Sequence, residues 1–454
     1  MNSISQIRHL LRSSSIHQTS SRTLFNVLEE RRLLEGYLPQ NKKLQMIEAL
    51  KKKQTFYTGF DPTGPSLHIG HLLVIMPLLH ALRNGHRIIC LIGGETARIG
   101  DPTGRLKPRE SLDRETIEAN ASRISSTLVS IFVNHLKYFW KPKFSEPIHE
   151  PIILNNSNWY SDDKFSDIIA ECGPAINVRN LFRKSRVEEH SENYSYAQLS
   201  YAVMQAYDWL KLFDRHNCCF QVGGNDQTPN IEAGFSLIRN LRNQEVYGFF
   251  VPLLLDKEGK KMGKTEGKSL FLERFTNSPY SLYKAILKLP HNQIERFLRY
   301  FTFYNNQEIE SIIQKDLKKQ TLHAHEKLAD SLVLLIHGES GLNQAKNASK
   351  ALLKGETEAL GKLTEDDLIE VFGSKSFIYH ELVPNGTSLL NIIMKTNCFE
   401  NEDLATVMIN KGGVLVNGRK ILDTDHLICD NDVFPNNLTF IKIGTNRAYL
   451  IRWL

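Results

Sequence analysis

The chain has 454 residues, 41% of them apolar and 23% charged, enough for two to three domains rather than one small core. Its 56 Lys+Arg against 50 Asp+Glu give a net charge of +6, which permits a nucleic-acid partner without requiring one. Apolar runs such as Leu72 to Leu82 are broken by Pro77 and His80, short of the roughly 18 residues of a membrane helix. The six cysteines form no C-x-x-C pair, so a reducing compartment and no structural zinc are expected.

The first acidic residue is Glu29, preceded by Arg8, Arg12 and Arg22 and seven serines. Ile4, Ile7 and Leu11 fall on one helical face, so residues 1–28 read as a mitochondrial or plastid transit segment. From Thr55 the pattern is that of a βαβ unit. A strand over Thr55 to Phe60 is followed by a Pro- and Gly-rich loop, then by a helix from Ser66 to Asn84 with Ser66 as N-cap and Gly85 as C′ residue. A second strand, Arg87 to Ile92, ends in Gly93-Gly94. Phe220 to Val222 precedes Gly223-Gly224, and the run Gly248 to Leu255 precedes a Gly- and Lys-rich loop. In an open parallel sheet ligands bind beyond the carboxyl ends of strands, so these loops should meet in one crevice.

After Pro290 the periodicity is helical, over Asn292 to Tyr304, Asn306 to Lys318 and Thr321 to His337. Residues 29–290, 291–354 and 380–454 therefore read as an α/β domain, a helical domain and a small α+β domain. The polar stretch 355–379 reads as a linker, with one short helix over Asp366 to Phe372.

Two clusters suggest chemistry. His68-Ile69-Gly70-His71 places two imidazoles three residues apart on one face of a helix's first turn, beside its positive dipole end, an arrangement suited to phosphate oxygens. Gly70 leaves room for a flat ring to approach the backbone. Lys261-Met262-Gly263-Lys264-Thr265 puts two lysines on a glycine-containing loop that can close over phosphates. It is not a P-loop, because Gly259 and Gly263 are separated by three residues and not four. Taken singly, each cluster is equally a solvated surface feature. Tyr201, Gln205 and Asp208 are spaced four and three apart and share a helix face, which implies a ligand-lined face or a hydrogen-bonded core network.

Together the two clusters resemble the HIGH and KMSKS signatures of class I aminoacyl-tRNA synthetases. Within that family four stretches are similar to the tyrosyl enzymes of bacterial and mitochondrial type. They are Tyr57-Thr58-Gly59-Phe60-Asp61-Pro62-Thr63, Gly100-Asp101-Pro102, Tyr201 to Asp208, and Gln221-Val222-Gly223-Gly224-Asn225-Asp226-Gln227. The resemblance runs from about Leu34 to the C-terminus. It implies a Rossmann-like parallel-sheet catalytic domain, then an α-helical anticodon-binding domain and an S-four-like RNA-binding domain.

By the same resemblance Tyr57 and Asp208 bind a phenol hydroxyl, and Asp101, Tyr201 and Gln205 hold an α-ammonium. Gln221 and Gln227 surround the amino acid, with Gln227 near its carboxylate. Gly59, Asp61, Thr63, Gly70, Gly224 and Asp226 line ATP, the last two at the ribose. His68, His71, Lys261, Lys264 and Thr265 surround the triphosphate. Thr228 and Val74 depart from residues common in the family.

The last unit is S-four-like through Leu404 to Met408, Asn410 to Val414 and Val416 to Lys420. Its seven Lys/Arg against eight Asp/Glu over 380–454 leave RNA contact to a clustered face, Lys411, Arg419 and Lys420. The resemblance further implies tyrosine activation with ATP and Mg2+, transfer to tRNA(Tyr), a homodimer, no membrane and the mitochondrial matrix. The alternatives are a tryptophanyl enzyme and an RNA-binding or splicing factor on the same fold.

Overall fold

Two apolar hexapeptides, β2 (Thr55–Phe60) and β3 (Arg87–Ile92), run parallel in register from Thr55↔Arg87 to Phe60↔Ile92. Both are buried over nearly their whole length, as expected of central strands covered on both faces. In the computed structural model, which describes residues 23–102, 112–140, 150–179, 195–254, 264–265, 268–319, 321–380, 386–444 and 447–454, they lie at the centre of a six-stranded sheet. β1 (Gly36–Leu38), β4 (Ile152–Asn155), β5 (Phe220–Gly224) and β6 (Tyr247–Val251) complete it in the order β1-β6-β5-β2-β3-β4. All neighbours are parallel except β1, which runs antiparallel to β6. This is the Rossmann-like α/β class expected from the sequence.

Strand alternation splits the side chains between two faces. On one, Phe56 stacks on Phe220 at 4.5 Å, and Phe249 packs edge-on to Phe220. The helix Leu24–Glu30 closes this side, with Phe25 against Phe249. On the other face Tyr57 joins Trp159, Trp209, Leu210 and Leu237 in a core built with the helices Tyr196–His216 and Thr228–Arg242.

Three boundaries differ from the sequence reading. The first helix of the βαβ unit is Ile69–Arg83, capped by His68 and not by Ser66, for a reason given below. Leu24, Phe25 and Leu28 are buried, so the folded unit begins inside the segment 1–28 assigned to a leader. Residues 355–379 are not a linker. They hold a turn (Thr357–Lys362), the helix Glu365–Phe372 and the strand β9 (Phe377–His380), with Leu360, Leu363, Leu368 and Phe377 buried.

By internal contacts the chain divides into two units, Met1–Thr276 with Leu289–Ile336, and Asn277–Lys288 with His337–Leu454. The helices His291–Phe301 and Asn306–Lys319 belong to the first. The helix His323–Lys354 is broken at Gly338 (φ 69°, ψ −169°), a conformation a side chain would resist, and the unit boundary falls one residue earlier. The expected domain 291–354 is thus shared between the two units.

The second unit contains β10 (Thr387–Ser388), β11 (Val414–Val416), β12 (Arg419–Ile421), β13 (Leu427–Ile428), β14 (Leu438–Ile443) and β15 (Arg447–Trp453). Its five-stranded sheet has the order β12-β11-β14-β15-β9, with β9 parallel to β15. The helices Leu389–Lys395 and Glu402–Asn410 pack on it through Leu389, Ile392, Ile393, Ala405 and Ile409.

Removal of residues 1–22 should leave stability unchanged. Removal of 1–28 should cost about 5 kcal/mol, since Leu24, Phe25 and Leu28 each lose about 1.5–3 kcal/mol of burial. Urea unfolding of the two truncated chains distinguishes these outcomes, and equal midpoints would exclude the Leu24–Glu30 helix from the core.

Candidate active site

The loops beyond the carboxyl ends of the parallel strands meet as expected. Asp61, after β2, accepts from Thr96 Oγ1 at 2.8 Å, after β3. Asn156, after β4, accepts from the Glu95 N–H at 2.9 Å and donates to Thr96 and Asp208 at 3.2 and 3.1 Å. Gln227, after β5, donates to Asp101 Oδ2 at 2.7 Å.

At the floor of this crevice are two orphaned atoms. Tyr57 Oη and Gln221 Oε1 are buried and have no hydrogen-bond partner among the described residues. Tyr57 on β2 and Gln221 on β5 are directly paired across the sheet, so their side chains leave the same face. Burial raises the Tyr57 hydroxyl well above its ordinary pKa, and the charges of Cys218 and Asp208 add to this. Asp208 itself is 3% exposed. It accepts from Trp159 Nε1 at 2.8 Å and from Asn156. Burial nevertheless pushes its carboxyl up to about 7, against the pull of Asn156, Trp159 and Tyr160.

Tyr201 lies seven residues before Asp208 on the Tyr196–His216 helix, with the half-buried Gln205 between them. The Tyr201 hydroxyl donates to Asp61 Oδ2 at 2.8 Å. Its pKa is raised well above the ordinary value by burial first, then by the charges of Asp61, Asp101 and Asp208. A local excess of carboxylate around one phenol suits a cationic ligand group. Asp61, expected on the nucleotide side, is thus bonded to the residue expected at the ammonium. Gln227 is further fixed by Asn230, which donates to its Oε1 at 3.0 Å.

The two signature histidines cap their own helix. His68 Nδ1 accepts from the Gly70 N–H at 3.1 Å and His71 Nδ1 accepts from the His68 N–H at 3.0 Å, with the rings stacked at 3.8 Å. Because both Nδ1 atoms accept, the proton of each neutral ring sits on Nε2. A Cβ on Gly70 would lie 2.9 Å from His68 Cε1. The room expected over Gly70 for a flat ligand ring is therefore taken by the His68 imidazole. The Gly70 and His71 N–H groups are engaged within the turn, so an anion here meets imidazole N–H and the helix dipole rather than those amides.

The helix starts at Ile69 because the chain before it is held by a distant segment. Ile69 N–H donates to Leu270 O at 3.0 Å and Leu272 N–H to Leu67 O at 2.8 Å, around a bridge between His68 and Phe271. Ser66, expected to cap the helix, accepts instead from the Glu273 N–H at 3.1 Å. Two residues before this bridge ends the hairpin of β7 (Lys264–Thr265) and β8 (Lys268–Ser269). Lys264 and Thr265 of the second signature are thereby linked through β8 to the segment paired with the first. Lys261 lies outside the described residues.

Gly224 and Asp226 adjoin, since a Cβ on Gly224 would meet Asp226 Oδ1 at 2.5 Å. Nothing lies within 4 Å of a Cβ built on Gly59, and the Thr63 N–H closes a turn onto Asp61 O at 2.8 Å. In the second unit Lys411, Arg419 and Lys420 are all exposed. Arg419 and Lys420 lie on β12, opposite Val416 and Leu415 of β11, and Arg419 is paired with the buried Asp432. Sequence reasoning missed Thr96, Asn156, Trp159 and Asn230.

Comparison with known proteins places this geometry. The family described as tRNA synthetases class I (W and Y) matches residues 49–354. The chain is 36% identical to the Drosophila melanogaster protein named tyrosine–tRNA ligase, mitochondrial, over 98% of this chain and 97% of that one. It is 36% identical to the human protein of the same name, over 88% and 84%. The solved structure of a C-terminally truncated Aspergillus nidulans mitochondrial tyrosyl-tRNA synthetase superposes with a TM-score of 0.66 at 26% identity, covering 77% of this chain and 98% of that one.

The raised pKa of Asp208 has a definite sign. Its folded value lies above the unfolded one, so stability is greatest below pH 4 and falls as pH rises to about 7. Relative to Asp208→Asn, the wild-type chain should lose stability between pH 4 and pH 8, by at most about 4 kcal/mol. Urea unfolding of both proteins across that range measures it, and a pH-independent difference would contradict the buried, uncharged carboxyl.

Proposed function

The chain belongs to the class I tRNA synthetases of the tryptophan and tyrosine group, and from that premise we propose that it is a tyrosine–tRNA ligase. It joins L-tyrosine to ATP as tyrosyl-adenylate with release of pyrophosphate, then transfers tyrosine to the 3′-terminal ribose of tRNA(Tyr). The observation that carries the choice of amino acid is the orphaned Tyr57 hydroxyl beside the buried Asp208. A phenol both accepts, from Tyr57, and donates, to Asp208. An indole N–H only donates, so it offers no acceptor for the Tyr57 hydroxyl proton.

Asp101, Tyr201 and Gln205 hold the α-ammonium, with Asp61 adding charge through Tyr201. Gln221 and Gln227 surround the amino acid, with Gln227 near its carboxylate. That carboxylate is ionised at neutral pH, so it attacks the α-phosphorus without a general base. Catalysis then rests on alignment and on charge stabilisation at the phosphorus and departing pyrophosphate. His68 and His71 through Nε2–H, with Lys261, Lys264 and Thr265, supply the latter. Mg2+ enters with the phosphates of ATP as part of the substrate. Gly59, Asp61, Thr63, Gly224 and Asp226 line the nucleotide.

The helices between His291 and Lys354 face the anticodon arm, and the second unit contributes an S-four-like RNA contact through Lys411, Arg419 and Lys420. The protein works as a homodimer in the mitochondrial matrix, delivered there by a leader that ends before Leu24.

Three measurements test this reading. Tyr57→Phe and Asp208→Ala should each erode discrimination between tyrosine and phenylalanine, read as the ratio of kcat/KM in ATP–pyrophosphate exchange. Asp208→Ala should do so more severely, because the phenol loses its acceptor and the buried Trp159 Nε1–H loses its own. Intact tyrosyl enzymes reject phenylalanine by about five orders of magnitude, and an unchanged ratio in both variants would move the phenol elsewhere. Lys264→Ala should slow adenylate formation with little change in tyrosine affinity. The opposite split would remove the lysine from the leaving group. Lys411→Ala with Lys420→Ala should weaken tRNA charging and flatten its salt dependence while leaving pyrophosphate exchange intact, and equal charging would refute the RNA contact.

A further inference from the structure

Away from the crevice, three side chains from three helices converge in the first unit. His291 opens the His291–Phe301 helix, Asp316 lies near the end of Asn306–Lys319, and His325 lies in the first turn of His323–Lys354. One ligand atom from each lies within 4.8 Å of the others. Asp316 Oδ2 is 3.8 Å from His291 Nδ1 and 3.9 Å from His325 Nδ1. We propose that His291, Asp316 and His325 form a binding site for a divalent transition-metal ion of the zinc type.

The argument turns on the tautomer of His325. Its Nε2 lies 2.9 Å from Leu289 O, a contact that only an Nε2–H can make favourable. In the neutral ring Nδ1 then bears the lone pair; it is buried with no hydrogen-bond partner among the described residues and faces Asp316 Oδ2. Two acceptors confronting one another in a buried place are costly unless a cation lies between them. A metal-ligating imidazole is neutral, with its proton on the nitrogen turned away from the ion, and the Leu289 contact sets that arrangement here.

The surrounding bonds have the character of a second shell. Leu289 O fixes the His325 ring as carbonyls commonly fix metal-binding imidazoles. Asp316 Oδ1 is occupied by Thr321 Oγ1 and the Ala324 N–H, both at 3.3 Å, which leaves Oδ2 for the cluster. An ordinary ion pair would draw Nδ1–H to within about 3 Å of the carboxylate. A tetrahedral Zn2+ with bonds of about 2.0–2.1 Å needs ligand atoms about 3.3 Å apart. The two edges to Asp316 must shorten by about 0.5 Å and the edge between the imidazoles by up to about 1.5 Å, which rotation within the broad χ2 wells of the two rings can supply. With His291 exposed, water completes the coordination, and the ion pins the ends of three helices together.

The test uses the full chain, freed of metal with a chelator and with its thiols kept reduced, and compares it with His291→Ala. This residue is exposed, so its loss should not disturb folding, as the metal-free Tm of the two proteins checks. The wild-type chain should take up one more Zn2+ per chain than His291→Ala in equilibrium dialysis. Its Tm should rise by roughly 5 °C at a hundredfold excess over Kd, and Co2+ should give visible d–d bands. Asp316→Asn should match His291→Ala, with affinity reduced at least about 100-fold, and millimolar Mg2+ should not compete. Equal uptake and equal Tm shifts in wild-type and His291→Ala, whether by binding elsewhere or by none, would overturn the proposal.

Discussion

The pairing of residues 67–69 with 270–272 is the constraint on which the phosphate end of the crevice depends. About two hundred residues separate these segments, yet two hydrogen bonds, Ile69 N–H to Leu270 O and Leu272 N–H to Leu67 O, which together make the His68–Phe271 bridge, fix both. The same pairing ends the extended chain at His68, sets the first turn of the helix at Ile69 and leaves His68 to cap it. The imidazoles are held by backbone donors at Nδ1 and by one another through stacking, so their Nε2–H edges are oriented before any ligand arrives. Preorganised donors of this kind need no rearrangement as charge develops. The strand β8, paired with Lys264 and Thr265, leads directly into the 270–272 segment.

At the opposite end the crevice contains groups that the free protein leaves unmatched. Tyr57 Oη and Gln221 Oε1 are buried without partners among the described residues, and Asp208 is held near neutrality by burial. Each unmatched group costs the fold on the order of 1–3 kcal/mol. That cost is tolerable because the paired strands β2 and β5 fix the backbone beneath Tyr57 and Gln221, while Trp159 and Asn156 fix Asp208 from a third strand end. A ligand that satisfies these groups recovers the cost, and one lacking the matching hydroxyl does not. Selectivity in such a site resides in the protein's own desolvation.

The sheet and the grouping of the crevice residues were legible because they rest on local patterns. Continuous apolar runs gave β2 and β3 residue for residue, whereas β5 continues through Gly224 and β6 spans Tyr247–Val251 against the expected Gly248 to Leu255. The 4–3 spacing put Tyr201, Gln205 and Asp208 on one face. What failed was non-local. Ser66 has the residue type of an N-cap, but a strand two hundred residues away claims its neighbours. The polar composition of 355–379 hid four well-spaced buried residues, Leu360, Leu363, Leu368 and Phe377. Asn156 and Trp159 follow a four-residue strand with no sequence mark of function, and their role exists only because β4 lies beside β3. His291, Asp316 and His325, at separations of 25 and nine residues, match no local metal motif, and the absence of paired cysteines argued against zinc.

Asp61 joins the two ends. It follows β2, in the loop that precedes the capped helix, yet its two oxygens accept from Thr96 and from Tyr201. A Cβ on Gly93 would fall 2.1 Å from its Oδ1, so the loop after β3 must carry a glycine there for the carboxylate to fit. One side chain thereby fixes the loop leading to His68, the glycine turn after β3 and the helix face bearing Asp208. Loss of the carboxylate would release all three, and leave the buried Tyr201 hydroxyl without its acceptor. The geometry leading to the histidines and that around Tyr201 and Asp208 are therefore not independent in this chain, because both rest on the one Asp61 carboxylate.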